Sequence, residues 1–71
     1  MVECVIAKVE VKSRRIEFTV QHPDRPEIVS TFWLALTRPK TKAQFLDGFN
    51  VMFDACERRI NQVADRATST V

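Results

Sequence analysis

Residues 15–22 alternate cleanly. Ile16, Phe18 and Val20 share one parity, and Arg15, Glu17, Thr19 and Gln21 share the other, which is the pattern of a half-buried strand. Residues 2–11 alternate less cleanly. Val5, Ala7, Val9 and Val11 form one face, and Val2, Cys4 and Ile6 begin the other before Lys8, Glu10 and Lys12 take it over. The β-branched content and the alternation predict a strand. A loop at Ser13 and Arg14 would pair Val11 with Ile16, Val9 with Phe18 and Ala7 with Val20, three apolar pairs on one face. Neither loop residue is the Gly or Asn that a tight hairpin turn prefers.

His22-Pro23-Asp24-Arg25-Pro26 predicts a turn, because each proline fixes φ and cannot donate to a ladder. Residues 27–36 then carry Ile28, Phe32, Leu34 and Leu36 on one parity and Val29, Thr31, Trp33 and Ala35 on the other. This predicts a third strand that is apolar on both faces. Thr37-Arg38-Pro39-Lys40 breaks the pattern. Thr41 with Gln44 three residues later forms a capping box, so a helix is expected from 41 to 67, followed by a flexible tail at 68–71. In that helix Leu46, Phe49, Phe53, Cys56, Ile60, Val63 and Ala67 make a heptad-spaced stripe. Two phenylalanines on it suit a sheet better than a two-stranded seam. Glu57, Arg58, Arg59, Asn61, Gln62, Asp65 and Arg66 are assigned to the outer face, where Asp54 and Arg58 can pair at i,i+4. The expected fold is one α+β domain over residues 1–71: a three-stranded antiparallel β-meander at 1–37 with one long C-terminal α-helix packed on it, in the order β-β-β-α.

The apolar content exceeds what one helix on one sheet face can bury. Val2, Cys4, Ile6, Val29 and Trp33 fall on the side away from the helix, and Phe45, Val51 and Met52 lie off the helix stripe. Gly48 and Ala55 are small residues flanking Val51, at which another backbone can approach. Contiguous apolar surface of this kind marks an interface. These ten residues are therefore the expected protein interface, and a homodimer or higher oligomer is the expected state.

Length and composition then remove alternatives. The chain has 71 residues, of which 45% are hydrophobic and 28% charged. That is ordinary for a folded domain but small enough for a marginal core. There is one His, one Gly and two Cys. No glycine-rich phosphate loop, nucleophile elbow, CxxC or HExxH motif is present. The expectation is a non-enzymatic protein without cofactor or metal. The only histidine, His22, reads as a turn residue. Cys4 and Cys56 sit among apolar residues and read as small buried hydrophobes. No run of apolar residues is long enough for a membrane span, and no signal peptide is seen at the start, so the cytoplasm is the expected location.

Net charge is +2, too little for bulk affinity to phosphates. The cations are nevertheless clustered. Lys12, Arg14 and Arg15 fall at the first hairpin tip, and Arg38, Lys40 and Lys42 fall between the third strand and the helix. In a β-β-β-α meander both groups lie at the same end, as a possible edge for an anionic partner. The expected function is a small protein-interaction module (a regulator, adaptor or inhibitor) of the size of bacterial and phage accessory proteins. The alternative is a dimeric nucleic-acid-binding regulator that uses the basic edge.

Overall fold

The structure, a computed structural model, describes residues 1–38 and 40–69. It has the α+β architecture that the alternation and the heptad stripe predict. β1 (Val5–Val11), β2 (Arg15–Gln21) and β3 (Val29–Ala35) form an open antiparallel sheet in the order β1-β2-β3, and α1 (Lys42–Ser69) packs on it. The helix runs two residues beyond the expected end at 67. Of the expected tail, residues 70 and 71 lie outside the described residues, as does Pro39 in the strand-to-helix break.

The first hairpin closes on Ser13 and Arg14, with the Lys12 N–H donating to the Arg15 carbonyl at 2.8 Å. Val11 pairs with Ile16 and Val9 with Phe18, as the apolar matching requires. The third expected pair, Ala7 with Val20, does not form. The register shifts between Ile6 and Lys8, so Ile6 stands opposite Val20 and Ala7 is the extra residue of a β-bulge. One extra residue exchanges the two faces of everything before it. Cys4 and Ile6 therefore turn to the helix side, along with Val9 and Val11, and Val5 turns to the far side. The expected single face of Val5, Ala7, Val9 and Val11 is split. Cys4 is buried in the core rather than exposed beside Val29 and Trp33.

Four phenylalanines anchor the helix. Phe18 and Phe32, opposite each other on β2 and β3, stack with ring centroids 4.9 Å apart. Phe49 meets both edge-on at 5.2 and 5.6 Å, and Phe53 stacks on Phe49 at 5.7 Å. Offset and edge-to-face aromatic pairs contribute about 0.5–1.5 kcal/mol each beyond the area they bury. Val20, Leu34, Cys56 and Ile60 complete the core. The capping box forms in both directions: the Gln44 N–H donates to Thr41 Oγ1 at 3.1 Å, and the Thr41 N–H donates to Gln44 Oε1 at 3.0 Å.

The heptad stripe is not the buried face over its whole length. Phe49, Phe53, Cys56 and Ile60 point inward, but Leu46, Val63 and Ala67 are exposed, while Phe45 packs on the core and Ala64 is buried. At about 100° per residue, Leu46 and Val63 stand about 100° apart around the axis. The helix crosses the sheet obliquely. Its start lies over the end of β3, with Gly48 beside Leu34, and its later turns approach the N-terminal segment. The contact face thus rotates from Phe45 toward Ala64, whereas a strict seven-residue repeat drifts the other way.

A helix of 28 residues is about 42 Å long, and strands of seven residues span about 23 Å. The overhang shows in the dimensions of 49 × 20 × 14 Å and in a radius of gyration of 13.8 Å, where a compact chain of this length has about 11 Å.

Candidate functional site

The helix lies on β3 and β2 and leaves β1 uncovered. The helix-side residues of β1 are consequently exposed: Val9 at 53%, Val11 at 74% and Ile6 at 36%. They form an apolar strip along an edge strand, created jointly by the Ala7 bulge and the oblique helix. The accessible surface of the 8.2 kDa chain is 5381 Å², against about 4,500 Å² for a compact monomer of that mass.

The ten residues expected at an interface do not form one patch. Val29 and Trp33 are exposed on the far face of the sheet. The Arg15 guanidinium lies over the Trp33 ring at 5.4 Å from its centroid while pairing with Glu17 at 2.7 Å. Val51, Met52 and Ala55 are exposed along the helix. Phe45 packs against the core. Gly48 lies over the sheet, where an added Cβ would meet Leu34 Cδ2 at an ordinary 3.7 Å, so no close backbone approach explains this glycine. Val2 is partly exposed but tethered to Asn61, and Cys4 is buried.

That tether comes from residues the sequence assigns to the outer helix face. Asn61 is only 6% exposed. It accepts from the Val2 N–H, and its Nδ2 donates to the carbonyls of Val2 and Glu57 at 3.0 and 2.9 Å. The Cys4 N–H donates to Glu57 Oε2 at 2.8 Å. Burial, and secondarily the Glu57 charge, push the Cys4 thiol pKa up. The one available signal was that Asn is a poor residue for a helix interior unless its side chain has a local partner. Arg59, also assigned outward, reaches back to donate to Ser30 Oγ at 3.1 Å, and Ser30 Oγ contacts Cys56 Sγ at 3.5 Å.

The two cationic groups do meet at one end, where the Leu36 N–H donates to the Arg14 carbonyl at 2.7 Å. Six cations become four, however. Lys12 and Arg15 turn to the far face, where Lys8 and Lys12 clamp Glu10 at 2.7 and 2.9 Å and Arg15 holds Glu17. The two lysine hydrogen bonds hold the Glu10 carboxyl pKa down at about 2, and the same contact raises that of Lys12. Among the described residues, Arg14, Arg38, Lys40 and Lys42 are exposed and in no ion pair. Arg38, Lys40 and Lys42 line an open cavity of about 410 Å³ together with the apolar Leu36, Phe45 and Leu46.

His22 is buried at the turn. Its Nδ1 accepts from the N–H groups of Asp24 and Arg25 at 3.1 and 3.2 Å, a structural use of the ring. Among the described residues no cluster of His, Cys, Asp or Glu is placed to hold a metal ion, and no helix is long and apolar enough to cross a membrane. Comparison with family models, curated proteins and solved structures finds no match to this chain.

Proposed function

We propose that this chain is a non-enzymatic protein-interaction module of the cytosol, a small regulator, adaptor or inhibitor, that works as a homodimer. The observation that carries this reading is the bare helix-side strip of β1, with Ile6, Val9 and Val11 exposed beside the helix. The surface surplus over a compact monomer is roughly 800–900 Å², and a stable interface takes about 800 Å² from each partner. A second copy packing β1 side to β1 side makes a self-complementary two-fold contact, the commonest way small chains cover such a face. The reduction from six free cations to four weighs against a phosphate backbone as the main partner.

The test is multi-angle light scattering at micromolar concentration, with Val9→Lys/Val11→Lys as the control variant. The wild type is expected at twice the 8.2 kDa chain mass. The double variant is expected at the monomer mass with an unchanged far-UV spectrum, because both side chains are already exposed in the single chain. A wild type that stays at the monomer mass ends the dimer reading.

A further inference from the structure

The cavity at the strand-to-helix junction has a chemistry of its own. Arg38, Lys40 and Lys42 line it together with the apolar Leu36, Phe45 and Leu46. Leu36 and Leu46 are both exposed to nearly half their area, although they share the cavity with three cations. At about 410 Å³ the cavity falls within the range of about 300–1,000 Å³ typical of ligand sites. Its walls are held from both sides, by the Leu36–Arg14 backbone bond on the sheet and by the Thr41–Gln44 capping box on the helix.

We propose that this cavity takes an acidic segment of a partner protein in which a large apolar side chain sits next to the carboxylates. The proposal rests on the reading of the chain as a protein-interaction module and gives that module its partner chemistry. Charge complementarity carries it. The far-face cations Lys8, Lys12 and Arg15 are each paired with the chain's own Glu10 or Glu17, whereas those at the cavity are in no ion pair among the described residues. Among the described residues that line the cavity there is no carboxylate, and Asp54 and Glu57 of the same helix are engaged by Arg58 and the Cys4 N–H, so a partner's acids supply the complementary charge. The apolar wall selects the rest of the ligand. A bare phosphate or an acidic run leaves Leu36 and Leu46 in water, and a segment that brings a Leu or Phe with its acids covers them. A nucleic acid strand would need exposed aromatic faces for its bases. Phe45 packs on the core, and Trp33 lies on the far face under Arg15.

The experiment is fluorescence anisotropy at about 150 mM salt with four labelled probes. The first is an acidic decapeptide containing one Leu-Phe pair. The second has Leu-Phe replaced by Ser-Ser, the third has its acids replaced by Gln and Asn, and the fourth is a 20-nucleotide single strand of DNA. The first peptide is expected to bind with Kd of about 10–100 µM and each peptide control about tenfold more weakly. The variant Arg38→Gln/Lys40→Gln/Lys42→Gln and the separate variant Leu46→Gln are each expected to weaken the first peptide about tenfold. Should the triple variant lose helix by circular dichroism, Leu46→Gln decides the matter alone. Equal binding of the Ser-Ser peptide, tighter binding of the DNA, or a first-peptide Kd above about 1 mM would each overturn the proposal. Light scattering on the same sample separates the two ideas: a wild-type dimer that ignores the peptide ends this inference and leaves the self-association reading standing.

Discussion

Asn61 holds Val2 by both of its backbone groups: the Val2 N–H donates to Asn61 Oδ1 at 2.9 Å, and Asn61 Nδ2 donates to the Val2 carbonyl at 3.0 Å. The side-chain amide stands in for a neighbouring strand at the point where β1 has not yet begun. With Glu57 on the Cys4 N–H one helical turn earlier, it latches the N-terminal segment along the helix. Asn61→Ala is expected to cost about 1–3 kcal/mol, because it leaves polar groups of a partly buried segment without partners. At about 4–8 °C per kcal/mol for a domain of this size, the thermal midpoint falls by at least several degrees. Asn61→Asp keeps the acceptor but loses both donations, and is expected to be no better than Ala at neutral pH. Thermal unfolding followed by circular dichroism measures both. An unchanged midpoint would mean that the segment is not docked.

Ala7 is the extra residue of the β1 ladder. Deleting it leaves a regular ladder in which Ile6 still stands opposite Val20 and Cys4 still faces the helix. The Cys4–Glu57 bond and the buried Cys4 side chain are then kept. The expected change in stability is about 1 kcal/mol or less. The sharper readout is thiol chemistry. In the wild type both cysteines are free and buried, and the raised Cys4 pKa leaves little thiolate at neutral pH. Both should therefore react slowly with a disulfide reagent under native conditions. In the deletion variant both thiols should stay as slow as in the wild type, because Cys4 keeps its place beside the helix. A thiol that reacts about tenfold faster or more in the variant would show that Cys4 has moved to the far face and that the extra residue does not lie at Ala7.

Much of this fold was legible because several local signals agreed. The β2 alternation, the Val11–Ile16 and Val9–Phe18 matching across Ser13 and Arg14, and the Thr41–Gln44 box each placed an element. The bulge was not legible. Val2, Cys4, Val5, Ile6 and Ala7 are apolar on both parities, so alternation carries no phase information where the phase changes. The inward helix face was legible at its centre and misread at its ends, because the heptad spacing says nothing about the crossing angle that brings Phe45 and Ala64 in. The basic edge was half legible. Its meeting at one end follows from strand direction, but the loss of Lys12 and Arg15 to the far face depends on side-chain pairing. The alternation of Lys8, Glu10 and Lys12 on one parity was the available hint.

Phe53 and Val51 separate the packed face of the helix from its bare one. Phe53 is half-buried, stacks on Phe49 and packs against the core, whereas Val51 is 68% exposed. Full burial of a Phe makes its truncation cost roughly 3–5 kcal/mol. Partial exposure lowers this to about 2–4 kcal/mol, a large share of the stability of so small a domain. Val51→Ala is expected within about 0.5 kcal/mol, with the better helix propensity of Ala offsetting the lost side chain. Chemical denaturation of the two variants gives the comparison. Equal losses would mean the helix sits in another phase.

Glu10 should titrate far below an ordinary carboxylate. Lys8 and Lys12 flank it on the same face at 2.7 and 2.9 Å, and their hydrogen bonds lower its pKa from 4.5 to about 2. A carboxyl held down in the folded chain favours folding wherever it is ionised. Its contribution is complete above the unfolded value of 4.5 and fades as pH falls from there toward 2, where the folded group also takes its proton. The cluster lies at the surface, so high salt screens it and should draw the titration upward. The check is an NMR pH titration of the Glu10 side-chain carboxyl at low and at high salt. Lys8→Met/Lys12→Met serves as the variant, expected to return the group to the ordinary range and to remove its share of the acid sensitivity. A midpoint near 4.5 in the wild type at low salt would show that the two lysines do not hold Glu10 between them in solution.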